Sequence, residues 1–212
     1  MLHLDHITII APTLEEGAEH VRNCLDIEVP FGTRHLYMGT HNHRLQLGDR
    51  IYLEIVALDP KGTAPGRARW FGLDDQRSVR KDWESGRRLR GWVANISSFR
   101  NLPPAHRSIF GEETALPVDT PGFSFSIPQD GSLPLDGAAP SLIDHWGNPT
   151  AMADIPDLGA RLRAFSLEHP EPEAIGSLYR DLQIGRQPSI AKGAQVRYEA
   201  KIDTPAGVRT LT

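Results

Sequence analysis

Cysteine is nearly absent from this chain: Cys24 is the only one among 212 residues. An intramolecular disulfide and a CxxC-type zinc site are therefore both excluded. Cys24 falls in a helix-like stretch, where it reads as a small packing residue rather than a nucleophile. Long apolar runs are missing too, and none approaches the roughly 18 residues that a membrane-spanning helix needs. Positive charge is not in excess. The 23 Lys and Arg face 27 Asp and Glu, a formal net charge of −4, which supplies no global field for nucleic acid. The chain has no GxSxG elbow, no GxxxxGK[ST] loop, no GxGxxG after a strand and no HExxH. Nothing supports a kinase, a nicotinamide dehydrogenase, a serine hydrolase or a zincin, and no nucleotide cofactor is expected. The opening MLHLDHITI enters a strand pattern without the basic and apolar regions of a signal peptide. The expectation is a cytoplasmic protein that uses neither membrane nor nucleic acid as partner.

What is present is a soluble-type composition, 39% hydrophobic and 24% charged. The first 60 residues parse as β-α-β-β-β. A strand over Leu4–Ala11 stops at Pro12, and Thr13 with Glu16 three residues later forms a capping box for a helix over Leu14–Leu25. Strands follow near Ile27–Pro30, His43–Leu47 and Ile51–Leu58, the last two flanking a Gly48-Asp49 turn. Similar grammar returns at Leu162–His169 (strand), Pro172–Leu182 (helix), Ile184, and a hairpin from Val196 to Leu211. This reads as a divergent internal duplication. The division is a first unit over 1–60, a central region over 61–157 and a second unit over 158–212. The central region is rich in Pro, Gly and Arg, but GWVANISSF and FSFSIP alternate like strands, and its tryptophans supply apolar bulk. It is expected to add strands and site-covering loops.

In a strand, residues i and i+2 share a face. His6 and Thr8 thus point opposite to Ile7 and Ile9, and Tyr52 with Glu54 points opposite to Leu53 and Ile55. If the apolar faces pack on helices, His6 and Glu54 look into one space. They are candidate metal ligands, an acid/base pair or a buried structural ion pair. In GTHNHR, His41 and His43 would complete a two-His-one-carboxylate set with Glu54. Alternation with Leu45 and Leu47 puts them on the helix side, and only a bulge at Gly39-Thr40 would turn His41 inward. Asn42 and Arg44 fall on the same face as Glu54, where Arg44 suits a substrate carboxylate. Trp146 reads as core or cup wall, and His145 beside it as an extra ligand or acid. The run from Arg77 to Arg90 is either a solvated face or an anion site.

The segments LDHITIIAPTLEEG, GTHNHRLQLGDRIYLEIVALDP, RARWFGLD, RRLRGW, PSLIDHW and RYEAKIDTPAGVRTL touch essentially the whole chain. As a set they resemble the vicinal-oxygen-chelate superfamily, and within it the glyoxalase-like domain proteins. The resemblance implies an α+β fold in which paired βαβββ modules form a cup-shaped mixed sheet, with extra strands here from the central region. It implies a divalent metal on a first-strand His and a last-strand Glu, positions matched by His6 and Glu54. Zn, Fe, Mn, Ni and Mg suit those ligand types equally. The second unit departs from the pattern, because Ala164 and about Leu211 or Thr212 stand where the partner ligands would be. The implied function is a small-molecule enzyme of the lyase, isomerase or dioxygenase type. In it His6, Glu54 and His41 hold metal, Glu54 is catalytic, and Asn42, Arg44, Tyr52 and Trp146 contact substrate. The alternative is a metal-free binding or sequestering protein of the same fold. A homodimer is expected.

Overall fold

The computed structural model describes residues 1–48, 50–148 and 154–212. The first unit contains β1 (Leu2–Ile10), α1 (Leu14–Leu25), β2 (Phe31–His35), β3 (Thr40–Gln46) and β4 (Tyr52–Leu58). Thr13 caps α1 as its sequence requires, its side chain accepting from the Glu16 N–H, while Asp26 closes the helix in a left-handed conformation. Leu14, Val21 and Leu25 bury one stripe of α1 against the sheet. The expected strand near Ile27–Pro30 begins instead at Phe31, after Pro30. The β3–β4 turn closes with the Ile51 N–H on the Gly48 carbonyl at 2.8 Å, and Asp49 lies outside the described residues.

The central region supplies α2 (Gln76–Glu84), β5 (Leu89–Asn95), α3 (Arg107–Phe110), β6 (Glu112–Leu116), β7 (Phe123–Ile127) and β8 (Ser141–Asp144). Its strands extend the first unit's sheet in the order β2-β3-β4-β1-β5-β8-β7-β6. β1 runs parallel to β4, β5 runs parallel to β8, and β1 and β5 meet antiparallel. The two halves of this curled mixed sheet are thus related by an approximate twofold axis between β1 and β5.

The last unit holds β9 (Arg161–His169), α4 (Pro172–Asp181), β10 (Ile184–Gly185), β11 (Ser189–Lys192), β12 (Arg197–Thr204) and β13 (Gly207–Leu211). The α+β class is as the sequence implied, and the central region, expected to add strands, completes the cup. The last unit forms its own sheet, β11-β9-β12-β13, and contributes only β10 beside β1. Its patterning explains this. In β12, Tyr198, Ala200 and Ile202 are buried between exposed Arg197, Glu199 and Lys201, which makes a sheet with one wet face. β5 is buried almost throughout and has to be covered on both sides. The main core lies between the two sheets and α1 and α4, and includes Ile7, Ile9, Leu53, Trp92, Tyr179 and Tyr198. A second apolar cluster, with Met38, Val56, Trp70, Phe71, Val93 and Phe125, lines the concave side. Among the described residues, no helix is long and apolar enough to cross a membrane.

Candidate active site

β1, β4 and β3 lie side by side and form the floor of the concave face, with His6 beside Tyr52 and Arg44 beside Glu54. The Tyr52 ring stacks on His6 with centroids 4.4 Å apart. The Nδ1–H of His6 donates to Asp5 Oδ1 at 2.7 Å, and its Nε2 lies 3.4 Å from Glu54 Oε2. Asn42 donates its Nδ2–H to Glu54 Oε1 at 2.7 Å and accepts the Thr33 N–H on Oδ1 at 2.8 Å, which fixes the amide's orientation. Gly32 leaves room for this. A Cβ there would stand 2.3 Å from Asn42 Oδ1 and 2.8 Å from Arg44 Nε. Asp5 Oδ2 accepts from His145 Nε2 at 3.0 Å, extending the chain of contacts to the rim.

These groups are deeply buried: Asp5, His6, Asn42 and Glu54 are each 2–5% exposed. Burial alone would strip charge from Asp5, His6 and Glu54. In His6 burial opposes the charged ring, but hydrogen bonds and the charges of Asp5 and Glu54 overcome it and push the imidazole up to about 9. In Asp5 the two histidines overcome burial and bring the carboxyl down to about 2. Glu54 is likewise held below its usual range, burial being outweighed by His6, His35 and Asn42. At neutral pH the floor is an imidazolium between two carboxylates. His35, by contrast, is lowered by burial and stays neutral.

Above the floor is a cavity of about 230 Å³. His35, Tyr37, Trp70, Phe71, Phe123, Phe125 and Ile143 wall it. Trp70 and Phe71 enter from a loop anchored by Arg69, whose side chain bonds the Met38 carbonyl at 2.8 Å and Asp74 at 2.6 Å. Phe71 sits at φ 61°, a conformation that bulky residues avoid.

Of the residues singled out from sequence, the structure brings His6, Asn42, Arg44, Tyr52 and Glu54 together around this cavity. His41 does not join them. β3 keeps its alternation, so His41 shares the face of Leu45, where Glu15 of α1 and Asp59 lie close enough to act on it. Trp146 is 45% exposed, bonds Ser124 through Nε1 at 3.1 Å, and lies outside the cavity lining. His145 does line the cavity, through its link to Asp5. The Arg77–Arg90 run is largely engaged. Arg80 pairs with Glu16, Arg87 with Asp82 and Asp136, Arg90 with Asp82, and Arg88 lies over Trp83. Alternation hid Asp5, which sequence reasoning missed. β1's pairing with β5 slips between Leu4 and His6, and Asp5 lies in that irregularity. The aromatic walls had a fainter signal in RARWFG and in the alternating FSFSI.

His6 and Glu54 supply half of what a divalent metal requires. Two donors sharing a metal at about 2.1 Å stand roughly 3–3.5 Å apart, which their 3.4 Å meets. Asp5 is placed as the carboxylate that commonly orients such a histidine. The missing half is visible in the twofold relation. Val93 pairs with His6, and as Tyr52 lies beside His6, so Ser141 lies beside Val93. Two residues further along these strands come Glu54 and Ile143. Val93 and Ile143 offer no donor atoms. Among the described residues, no group of three or more His, Cys, Asp and Glu is placed to hold a metal ion. The described side chains therefore do not fit a divalent metal.

A curled mixed sheet of two twofold-related halves around a polar floor defines the vicinal-oxygen-chelate class. Within that class the chain belongs to the glyoxalase-like domain family, whose sequence profile matches residues 4–183. A hypothetical protein from Staphylococcus aureus is similar in fold over 100% of this chain and 99% of its own, at 9% identity and a TM-score of 0.60. A single-residue variant of methylmalonyl-CoA epimerase from Streptomyces coelicolor, in complex with 2-nitronate-propionyl-CoA, covers 69% of this chain and 96% of its own at 14% identity and a TM-score of 0.39. The Mycobacterium tuberculosis epimerase covers 71% and 91%, also at 14% identity and a TM-score of 0.39. No curated protein matches the chain.

Proposed function

We propose that this protein is a small-molecule enzyme of the isomerase or lyase type that moves a proton at a carbon next to a carbonyl. One observation carries the reading: a buried, ionised Glu54 faces the cavity, with one oxygen clamped by Asn42 and the other, among the described residues, held by a 3.4 Å contact to His6. Oε2 is the oxygen left to accept a proton. Its lowered pKa keeps Glu54 in the base form at neutral pH. The His6 imidazolium offers its Nε2–H to the oxygen on which charge develops, and Asp5 holds the ring from behind. Arg44 and Tyr52, both at the cavity surface, orient the substrate. No step passes through a metal, because the described donors do not make a metal site.

The test uses a panel of small ketones, aldehydes and 2-oxo acids incubated in D2O with wild type or Glu54→Gln, followed by NMR or mass spectrometry. Wild type is expected to deuterate the carbon beside the carbonyl of at least one compound, and Glu54→Gln to lose that activity. Equal exchange with both proteins across the panel would sink the reading. It would favour the second one, a metal-free binding protein, which the aromatic walls and absent third ligand also suit.

A further inference from the structure

The two halves of the cup differ in chemistry. The charged groups at the floor, His6, Arg44 and Glu54, come from the first unit. The facing half presents Phe123, Phe125 and Ile143, and Trp70 and Phe71 cover it. The ring of Phe125 meets Trp70 at 5.4 Å and Phe71 at 5.7 Å, both edge-on, so this wall is a continuous aromatic surface. Among the described residues, His145 is the one ionisable side chain lining that half, its Nε2 already committed to Asp5, and Asn148 beside it is the neutral polar one.

We infer that the substrate of this cup is a small planar aromatic compound with a single carbonyl-type reacting group, its ring against Phe125 and Ile143 and its carbonyl against His6 and Glu54. This rests on the proton-transfer reading above and adds the substrate class. The cavity of about 230 Å³ corresponds to about eight waters, or a molecule on the order of ten heavy atoms. An aromatic ring fits the wall by edge and face contacts. A second charged group at the far end of the substrate would be stranded against apolar side chains without a partner. Dicarboxylates and sugar phosphates are thereby disfavoured.

Binding of acetophenone, acetone and terephthalate, followed by saturation-transfer NMR, tests this. Acetophenone is expected to bind saturably and roughly 30-fold more tightly than acetone, the effect of burying a phenyl group. Terephthalate is expected not to bind. Ile143→Asp is expected to remove most of the preference, and if it does not fold, Phe123→Ser, at a half-buried position, serves instead. Equal affinity for acetone and acetophenone, no saturable acetophenone binding, or an unaltered preference in whichever wall variant folds would overturn the inference. Glu54→Gln separates the two readings. Retained aromatic preference without loss of deuterium exchange would remove the proton-transfer role alone.

Discussion

Asp5 and His6, consecutive in β1, meet side chain to side chain at 2.7 Å. Regular alternation would send them to opposite faces of the sheet, and the slip in the β1–β5 register between Leu4 and His6 brings them together. The pair sets how stability varies with pH. Asp5 lies at about 2 against an ordinary 3.8, so its contribution is complete above pH 3.8 and is lost as the pH falls toward 2. His6 lies at about 9 against 6.5, so its contribution is complete below pH 6.5 and is lost as the pH rises through 9. In thermal unfolding these two contributions should appear as one loss of stability below pH 3.8 and another above pH 6.5, superimposed on the loss that buried, neutral His35 gives as the pH falls below 6.5. Asp5→Asn should cost about 3 kcal/mol at neutral pH, as removal of one partner from a buried ion pair does, and flatten both limbs. An alkaline limb of unchanged midpoint and depth in Asp5→Asn would show that Asp5 does not hold the His6 proton, since Glu54 alone should sustain only part of it.

Glu54→Gln and Asn42→Ala separate chemistry from positioning. Glu54→Gln removes the base and should lower turnover by about 10²–10⁴-fold. Asn42→Ala leaves the carboxylate but frees Oε1, which now accepts a 2.7 Å bond. It should cost about 1.5–3 kcal/mol of stability and raise the pKa of Glu54, shifting the acid limb of the rate profile to higher pH. Unchanged acid limbs in Asn42→Ala would mean that the amide does not tune the base.

Much of this arrangement was legible because it follows from period-two alternation. Ile7, Ile9, Leu53 and Ile55 mark the buried face, and that alone puts His6, Tyr52, Glu54, Asn42 and Arg44 on the other. The same rule argued against His41, and β3 obeys it without a bulge. Asp5 was hidden because an irregularity in β1 breaks the rule on which the reading depended. The central region's share in the cup was legible from its alternating GWVANISSF and FSFSIP segments, but the full order of its strands and the separateness of the last unit's sheet were not. β6 and β8 are five and four residues long and lie among prolines and turns, whereas the last unit repeats the helix-and-strand spacing of the first. Spacing identified a repeat, but which copy pairs with β1 is decided by long-range burial, which spacing does not encode.

Gly32 lies in β2, outside the cavity lining, yet the site depends on its missing side chain. A methyl group there would contact Asn42 Oδ1 at 2.3 Å and Arg44 Nε at 2.8 Å. Gly32→Ala should displace Asn42 from Glu54, lowering activity about 10-fold or more and stability by about 1–3 kcal/mol, as overpacking does. Kinetics beside thermal unfolding would check this. Gly32→Ala with full activity and normal stability would show that β2 yields without disturbing Asn42.

The twofold relation between His6 with Glu54 and Val93 with Ile143 predicts that the absent half of a metal site can be restored. Val93→His with Ile143→Glu would face two new donors toward the existing two across the β1–β5 pair. Without metal the double variant should be less stable than wild type, since Val93 is fully buried and Ile143 nearly so and polar groups there lack partners. Cobalt(II) should reverse that loss, because a ligand that binds only the folded state raises its stability. The bound ion should show the visible absorption of a four-coordinate site. His6→Ala in the double-variant background should abolish both effects. Wild type should show no saturable cobalt binding at the concentrations that saturate the variant. Equal cobalt affinity in wild type and variant would mean that His6 and Glu54 already bind a metal with help from groups other than their twofold mates, and the metal-free reading of the cup would fall.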